Sequence, residues 1–341
     1  MQNIQKVNCL LCNSITELKH NAFPGYQVGM QFEIYTCKNC NTSFSLPRTD
    51  AGKIYEVIYH KGDAVPGYNR YWEYFRTVKN RSNPLNYLAF SEVSYWGIQS
   101  ALKQVVKNKQ STRIIEIGCG LGYLTYSLRK DNYNIYGLDI SQEAVNQAND
   151  NFGEYYICQD LFEYAKTNVN SYDVVILTEV IEHVETPIGF LETIMKILKP
   201  NGQIILTTPN KSLLPSDIVW DTDLPPVHCW WFSEESMVYI AKQLNANASF
   251  INFSKYYKRN YHLHKVNKIR ESGLPTPIFN ENWELIVKSK KPKKIKAIYQ
   301  QIIFNIPFVK TLYIKMKCYY NPDIISCEER GISLCVIFQK K

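Results

Sequence analysis

The sequence feature that most constrains the fold is a β-branched run that leads straight into three alternating glycines, residues 113–122 (RIIEIGCGLG). Gly118, Gly120 and Gly122 let the backbone turn tightly and approach a ligand without obstruction by a Cβ atom. The helical pattern that follows offers N–H groups at its first turn to a negatively charged ligand group. A dinucleotide fingerprint needs its third glycine one position later, where this chain has Tyr123. The loop therefore predicts a ligand site at a strand-to-helix turn, of a different kind from the dinucleotide site.

The chain up to residue 256 continues this alternation of short apolar runs and helical patterns, which is typical of a parallel sheet with crossover helices. The predicted strands are Arg113–Ile117, Asn134–Leu138, Glu154–Cys158, Tyr172–Leu177, Gly202–Thr207 and Ala248–Lys255, and the predicted helices between them are Tyr123–Lys130, Gln142–Asn149 and Ile188–Leu198. A last β-like run, Ile332–Phe338, is predicted to return to the sheet antiparallel to its neighbours. We therefore expect an α/β fold with a doubly wound, mostly parallel seven-stranded sheet.

Five segments follow from these patterns. Residues 1–47 hold two cysteine pairs, and residues 48–112 form a Tyr- and Trp-rich linker that ends in a predicted helix, Leu88–Lys107. Residues 113–256 form the sheet core, residues 257–331 a basic helical insertion, and residues 332–341 the final strand of the core.

Further motifs stand in a recognisable order along the core. Asp139 ends the second predicted strand, Asp160 follows the third, and the fourth runs into a Glu-x-x-Glu-His sequence at residues 179–183. A Leu-Lys-Pro-Asn-Gly turn then leads into the fifth strand. With the glycine loop, this series resembles class I S-adenosylmethionine-dependent methyltransferases, over roughly residues 86–256. Within that class it is most similar to the ubiquinone-biosynthesis O-methyltransferases and to relatives that act on sugars and other small molecules.

The resemblance implies S-adenosylmethionine as cofactor and a place for each of its parts. Glu116 would face the methionine ammonium, the glycines of the loop would line the methionine moiety, Asp139 would accept both ribose hydroxyls, and Asp160 would accept from the adenine amino group near the Leu161 N–H. The implied cofactor-binding residues are Glu116, Gly118, Cys119, Gly120, Gly122, Asp139, Ile140, Asp160, Leu161 and Glu179.

The Glu-His turn carries the implied chemistry. Histidine suits the task of taking a proton from a hydroxyl acceptor, because its ordinary pKa is near neutrality. His183, with Glu182 beside it and His228 after the fifth strand, are the expected catalytic residues. The same resemblance leaves a second possibility open, in which Glu179, Glu182, His183 and His228 bind Mg²⁺ or another divalent cation. A third is that the acidic side chain only braces the loop.

Two Cys-x-x-Cys pairs, Cys9/Cys12 and Cys37/Cys40, are spaced for a zinc ribbon. Each pair can form a tight knuckle, and two knuckles supply four thiolates for tetrahedral, structural Zn²⁺. Asn13 and Asn41 follow the pairs, and asparagine tolerates the left-handed conformation that such knuckles need. A redox dithiol is disfavoured, because neither pair follows a βαβ pattern. Cysteines placed in this way favour a reducing compartment.

The formal net charge of +8 is concentrated in one segment. Residues 257–331 hold 15 Lys or Arg against 6 Asp or Glu. A helical cap with a solvated basic rim, a contact with an anionic membrane or a lipid-linked substrate, and, less favoured, a nucleic acid are the open interpretations. Since the sequence lacks a long uncharged apolar run and a signal-like N-terminus, we expect a cytoplasmic protein, with peripheral membrane contact as the alternative.

Together with the two cysteine pairs, the resemblance implies a zinc-ribbon methyltransferase that acts on a small-molecule acceptor, by O-methylation of a sugar, a quinone-like compound or another secondary metabolite. Methylation of RNA 3′ ends and a non-catalytic cofactor-binding scaffold are the two alternatives. The Glu-x-x-Glu-His sequence and the basic insertion favour the first of them, and the intact acidic residues Glu116, Asp139 and Asp160 disfavour the second.

Overall fold

The computed structural model describes residues 7–213, 224–260, 263–265, 274–286, 324–326 and 329–341, together with the helical positions 312, 315, 316 and 319. Most of the basic segment 257–331, with the helices and partners predicted for it, therefore lies outside the described residues. Within the described part of the chain, no helix is both long and apolar enough to cross a bilayer.

The chain begins with a small antiparallel sheet that carries the cysteine pairs. Its strands are β1 (Thr16–Pro24), β2 (Gln31–Cys37) and β3 (Ser43–Leu46), paired in that order. A fourth strand joins it from far along the chain: β9 (Trp230–Trp231) pairs antiparallel with β3. The cysteine segment thus shares a sheet with residues of the core.

Four helices follow the small sheet: α1 (Gly52–Lys61), α2 (Asn69–Thr77), α3 (Pro84–Ser91) and α4 (Val93–Val105). The prediction of a single helix over Leu88–Lys107 is wrong, because two helices meet at Glu92. The backbone of Glu92 is extended, at φ −140° and ψ 147°. The carboxylate of Glu92 bonds the side chains of Arg70 and Tyr74, so this break aims an acidic group at α2.

The predicted seven-stranded sheet is confirmed. Its strands are β4 (Arg113–Ile117), β5 (Asn134–Asp139), β6 (Tyr156–Cys158), β7 (Tyr172–Thr178), β8 (Leu198–Pro209), β10 (Ala246–Phe250) and β13 (Ser333–Lys340), in the order β10-β13-β8-β7-β4-β5-β6. β13 is antiparallel to both neighbours, as predicted. The predicted strand Ala248–Lys255 ends instead at Phe250, and helix α10 (Ser254–Asn260) follows. A separate two-stranded sheet joins β11 (Leu263–Lys265) to β12 (Ile324–Ser326).

Helices cover both faces of the large sheet: α5 (Tyr123–Lys130), α6 (Gln142–Phe152), α7 (Leu161–Thr167), α8 (Pro187–Ile197) and α9 (Glu234–Gln243). Alternate residues of one strand enter opposite cores, since successive side chains point to opposite faces. Ile115 packs in the cluster that contains α8, and Ile114 packs in the cluster that contains α4 and α5. Both faces are therefore buried, which leaves the carboxyl edge of the parallel strands as the place for a ligand.

Candidate active site

The glycine loop lies at this carboxyl edge, between β4 and α5. Gly118, Gly120 and Gly122 have φ angles of 71°, 50° and 76°, all in the left-handed region that favours glycine. The space available for a Cβ atom differs among these glycines. A Cβ on Gly120 would meet nothing closer than the Tyr59 hydroxyl at 3.9 Å, whereas one on Gly122 would lie 2.5 Å from the Tyr156 ring. Gly120 thus leaves room for a ligand, and Gly122 leaves room for the protein's own packing.

Glu116 is buried at the end of β4, with 3% of its surface exposed, and its side chain lines the central cavity. The Thr125 hydroxyl donates to its Oε2 at 2.5 Å. Burial raises the pKa of Glu116 to about 8, and the bond from Thr125 offsets only part of that effect. In the absence of a positive partner the carboxyl group therefore holds a proton at neutral pH.

Asp139 connects the end of β5 to the glycine loop. Its Oδ2 accepts from the Gly120 N–H at 2.7 Å, and its Oδ1 accepts from the Ser141 N–H at 2.9 Å. Burial raises its pKa, while these backbone donors act in the opposite direction. Because a carboxylate oxygen can accept a second hydrogen bond, the same group can hold the loop and meet a ligand hydroxyl.

Glu179 follows β7 with a left-handed backbone, φ 54°, which is strained for a residue other than glycine. The Ser333 hydroxyl donates to its Oε1 at 3.2 Å, and its own N–H donates to the Thr207 carbonyl at 3.1 Å. Burial, and then the charge of Glu92, raise the pKa of Glu179 to about 7. Glu179 lines the same cavity as Glu116.

His183 is the most informative side chain of the Glu-His turn. Its Nδ1 lies 2.7 Å from the Val227 carbonyl oxygen. Since a carbonyl can only accept, Nδ1 carries the proton and Nε2 carries the lone pair. Burial lowers the pKa of His183, while the Val227 and Glu179 carbonyls oppose this. The imidazole is therefore neutral at neutral pH, with Nε2 at 3.9 Å from Glu182 Oε1.

His228 and Glu182 complete this wall of the cavity. The rings of His183 and His228 meet edge to face with centroids 4.6 Å apart. Burial, and then electrostatic interaction with His183 and Arg70, lower the pKa of His228 well below its usual value. Glu182 is fully buried, and the Thr208 hydroxyl donates to its Oε2 at 3.0 Å. The three predicted catalytic residues thus lie together.

Helices α1 and α2, together with Glu92 and residues of α4 and α5, supply the opposite wall. Arg70 binds Glu92 at 2.7 Å between Nε and Oε1, and it donates to the Tyr71 hydroxyl at 2.7 Å. The Tyr95 and Tyr123 hydroxyls share a hydrogen bond of 2.6 Å. Sequence reasoning missed all five residues. Arg70 and Tyr71 lie in the stretch between residues 55 and 74 that is unusually dense in tyrosine and tryptophan, and Glu92, Tyr95 and Tyr123 lie outside it.

The cavity between these walls has a volume of about 810 Å³. It brings together most of the predicted residues: Glu116, Gly118, Cys119, Gly120, Asp139, Glu179, Glu182, His183 and His228. Four predicted cofactor residues lie outside its lining: Gly122, Ile140, Asp160 and Leu161. Gly122 is the N-cap of α5, and its carbonyl accepts from the buried Tyr156 hydroxyl at 2.7 Å. Asp160 Oδ1 caps α7 by accepting from the Phe162 and Glu163 N–H groups.

The divalent-metal alternative is not supported by the arrangement of donors. Glu179, Glu182, His183 and His228 do not gather their donor atoms into one group, and the one such group in the described ranges is formed by cysteines. Nδ1 of His183 and Oε2 of Glu182 already bind protein groups. The turn is therefore arranged around hydrogen bonds between protein atoms.

Cys9, Cys12, Cys37 and Cys40 form that cysteine group, with all four Sγ atoms within 4.8 Å of one another. The Sγ atoms of Cys9 and Cys40 are 3.7 Å apart, and those of Cys12 and Cys37 are 3.4 Å apart. A tetrahedron with zinc–sulfur bonds of about 2.3 Å has edges of about 3.8 Å. Asn13 and Asn41 have φ angles of 58° and 51°, which confirms the left-handed conformation predicted after each pair.

Comparison with known proteins identifies the family. Residues 73–248, more than half of the chain, match the family model described as a methyltransferase domain. The chain belongs to this methyltransferase family. The resemblance to class I S-adenosylmethionine-dependent enzymes is thereby confirmed, and the matched span contains the glycine loop and the Glu-His turn.

Two curated relatives of this methyltransferase are ubiquinone biosynthesis O-methyltransferases. The one from Vibrio cholerae is 30% identical over 106 residues, which is 30% of this chain and 43% of the relative. The mitochondrial one from Schizosaccharomyces pombe is 33% identical over 108 residues, which is 30% of this chain and 39% of the relative. The chain thus spans less than half the length of these relatives.

Solved structures similar to this methyltransferase have low identity. A SAM-dependent methyltransferase from Archaeoglobus fulgidus has 15% identity and a TM-score of 0.42, over 71% of this chain and 93% of that one. A phosphoethanolamine N-methyltransferase 2 from Haemonchus contortus, in complex with phosphomonomethylethanolamine and S-adenosylhomocysteine, has 15% identity and a TM-score of 0.44, over 71% and 52%.

Proposed function

We propose that this protein transfers the methyl group of S-adenosylmethionine to a hydroxyl oxygen of a small polar molecule, with His183 as the general base. The observation that carries the proposal is the hydrogen bond from His183 Nδ1 to the Val227 carbonyl, because it leaves the Nε2 lone pair available on a neutral, cavity-lining ring. The names of the curated relatives support oxygen as the methylated atom.

The cofactor would occupy the side of the cavity formed by β4 and β5. Ionised Glu116 would pair with the methionine ammonium, Gly120 would leave room for the backbone to approach, and Asp139 would accept from the ribose hydroxyls. Ile140, with 73% of its surface exposed just beyond Asp139, offers an apolar face for the adenine ring. Asp160 and the Leu161 N–H would then meet the edge of the adenine.

The reaction is a displacement at the methyl carbon. The acceptor oxygen forms the new carbon–oxygen bond while the carbon–sulfur bond breaks, and the electron pair of that bond stays on sulfur. The acceptor proton moves to His183 Nε2. The buried Glu182 carboxylate, whose Oε1 is 3.9 Å from that nitrogen, would stabilise the resulting imidazolium. General-base assistance of this kind contributes about 10²–10⁴ in rate.

The acceptor would occupy the side formed by α1, α2 and the two histidines. Tyrosine hydroxyls, the Arg70–Glu92 pair and Glu179 line this space, so polar groups are available for an acceptor with several hydroxyls. Sugars, quinone-like phenols and other secondary metabolites are the proposed acceptor classes.

We also propose that the four cysteines bind one structural Zn²⁺. The support is geometric: the four Sγ atoms lie within 4.8 Å of one another, and the Leu11 N–H donates to Cys9 Sγ at 3.4 Å. Purified protein should contain about one zinc per chain, and Cys37→Ser should lose it and lower the unfolding temperature. A metal-free preparation with the melting curve of the variant contradicts the proposal.

The methyl-transfer proposal is tested with His183→Asn. The asparagine Nδ2 can replace Nδ1 as the donor to Val227, so the variant removes the base while it retains this bond. With labelled S-adenosylmethionine and pools of sugars, phenols and RNA 3′ ends, we expect transfer to a sugar or phenol hydroxyl and a loss of about 10²–10⁴ in kcat for the variant. His60→Asn, at an exposed histidine, is the matched control.

Retention of more than a third of the wild-type kcat by His183→Asn would exclude the base role. Transfer confined to RNA ends would favour the alternative acceptor class. Cofactor binding without transfer to any pool would favour the scaffold interpretation.

A further inference from the structure

The cysteine ribbon (residues 7–48) contacts the catalytic side of the core through its last strand. Phe44 in β3 pairs with Trp230 in β9, and their rings lie 5.7 Å apart. One step before β9, the Ser45 N–H donates to the Cys229 carbonyl at 3.1 Å. The ribbon therefore forms main-chain hydrogen bonds with the residue that directly follows His228.

Residues 227–230 form three hydrogen bonds with the Glu-His turn. The Val227 carbonyl accepts from His183 Nδ1 at 2.7 Å, and the Cys229 N–H donates to the Glu182 carbonyl at 2.9 Å. The Trp230 indole N–H donates to the Val184 carbonyl at 2.8 Å. Each residue of the 182–184 turn is thus hydrogen-bonded to the segment 227–230, and the ribbon contacts the same segment.

Arg48 reinforces this connection at the end of the ribbon. Its guanidinium carbon lies 4.4 Å from the centre of the Trp230 ring, and it donates to the Cys229 carbonyl at 3.2 Å. Burial lowers the pKa of Arg48, while the Cys229 and Glu185 groups oppose that shift. Burying the guanidinium of Arg48 costs solvation energy, and its contacts with the Cys229 carbonyl and the Trp230 ring offset this cost.

The second cysteine knuckle is fastened to the core as well. The Thr42 hydroxyl donates to Ser236 at 2.8 Å, and Ser236 donates to the Cys40 carbonyl at 3.0 Å. Lys211 donates to the Asn41 side-chain oxygen at 2.8 Å. Since β3 begins directly after this knuckle, a metal that fixes the positions of the cysteines also fixes the position of β3, the strand that contacts Cys229.

We propose that the cysteine ribbon positions the Glu182–His183 turn through Arg48 and Cys229, so that metal binding at the cysteines sets the rate of methyl transfer while cofactor binding stays intact. Arg48 is a positioning residue in this scheme. The cofactor side is held separately, by the Gly120–Asp139 bond of 2.7 Å. The proposal rests on the proposed function for its kinetic readout, and on the geometry of the turn for its spectroscopic one.

The first arm of the test uses Arg48→Met in the full-length, zinc-loaded protein. Methionine keeps an apolar stem over Trp230 and removes the donor to Cys229. We expect kcat to fall by about tenfold to a hundredfold, since small displacements of a catalytic group have effects of this size, while the Kd for S-adenosylhomocysteine stays within twofold. Lys19→Met, a β1 variant that removes a salt bridge with Glu17, is the matched ribbon control.

The second arm observes the histidines directly by NMR. His183→Asn and His228→Asn assign the two ring signals, and the nitrogen shifts report which ring nitrogen of His183 carries the proton. We expect the wild type to have this proton on Nδ1, and Arg48→Met to reduce that population. This readout is independent of whether His183 is the base, so it separates failure of the positioning proposal from failure of the proposed function.

The third arm removes the metal with a thiol-reactive mercurial and a chelator, and then restores it with thiol and Zn²⁺. We expect kcat and the His183 signals to change on removal and return on restoration, with S-adenosylhomocysteine affinity within twofold throughout. Unchanged kcat and unchanged His183 signals in Arg48→Met, or in the metal-free protein, would overturn the proposal. Equal loss of cofactor affinity and kcat would overturn it too, because it would indicate general unfolding.

Discussion

Binding of the cofactor should release a proton from Glu116. The carboxyl group is buried, and its pKa of about 8 leaves about nine-tenths of it protonated at pH 7 in the free protein. A protonated carboxyl group cannot form an ion pair with the methionine ammonium. If the two groups meet as proposed, binding therefore ionises Glu116 and about 0.9 proton per cofactor leaves at pH 7, falling to about 0.1 at pH 9.

The measurement is isothermal titration calorimetry with S-adenosylhomocysteine in buffers of different ionisation enthalpy. The slope of the observed enthalpy against the buffer enthalpy gives the number of protons exchanged. Glu116→Gln should abolish this slope at pH 7 and weaken binding, because a hydrogen bond to a charged group contributes roughly 1.5–3 kcal/mol. Glu143→Gln, on α6 and paired with His60, is the control that should retain the slope.

The same shift has a consequence for the free protein. The folded-state pKa of Glu116 is raised above its usual 4.5, so between these two values the folded state binds more protons than the unfolded state. Stability contributed by this group is therefore present at acidic pH and is lost as the pH rises, by roughly 3 kcal/mol at pH 7. Glu116→Gln should flatten this decline in chemical unfolding. A wild-type protein that exchanges no protons on binding at pH 7 would refute the proposed ion pair, and an unchanged decline of stability in Glu116→Gln would refute the raised pKa.

Two further predictions concern the cofactor side. Asp139→Ala should lower the affinity for S-adenosylmethionine, measured by calorimetry, about tenfold or more. It should also reduce the melting temperature, because the carboxylate accepts from the Gly120 N–H. Unchanged affinity would exclude the ribose contact. Gly122→Ala should destabilise the protein by roughly 2–4 kcal/mol, because its Cβ would lie 2.5 Å from Tyr156, whereas Gly120→Ala should cost only the roughly 1–2 kcal/mol of its backbone conformation and reduce cofactor affinity instead. Equal unfolding curves for the two glycine variants would contradict this distinction.

The sequence predicted the sheet core well because each of its elements carries a local signal. The bounds of β4 and α5 agree with the prediction to the residue, since a β-branched run, three glycines and a helical pattern follow one another directly. The two helices α3 and α4 were merged because nothing local marks Glu92 as extended; its carboxylate bonds Arg70 and Tyr74, which belong to another helix.

The site was predicted in part for the same reason. Glu116, Asp139 and His183 belong to motifs that end strands, and parallel strands bring their carboxyl ends to one edge. Gly122 was assigned to the cofactor because its spacing matches the motif, but its role depends on Tyr156, which is 34 residues away. Spacing alone cannot separate a glycine that admits a ligand from one that admits a ring of the protein.

The division of the cavity also limits what the relatives can indicate about the acceptor. The family match begins at residue 73, so Tyr55, Tyr59, Arg70 and Tyr71 precede it, although all four line the cavity. His183, by contrast, lies inside the match. Helices α1 and α2, which line the proposed acceptor side, lie almost entirely before the matched residues. If the acceptor binds there as proposed, these helices determine its recognition.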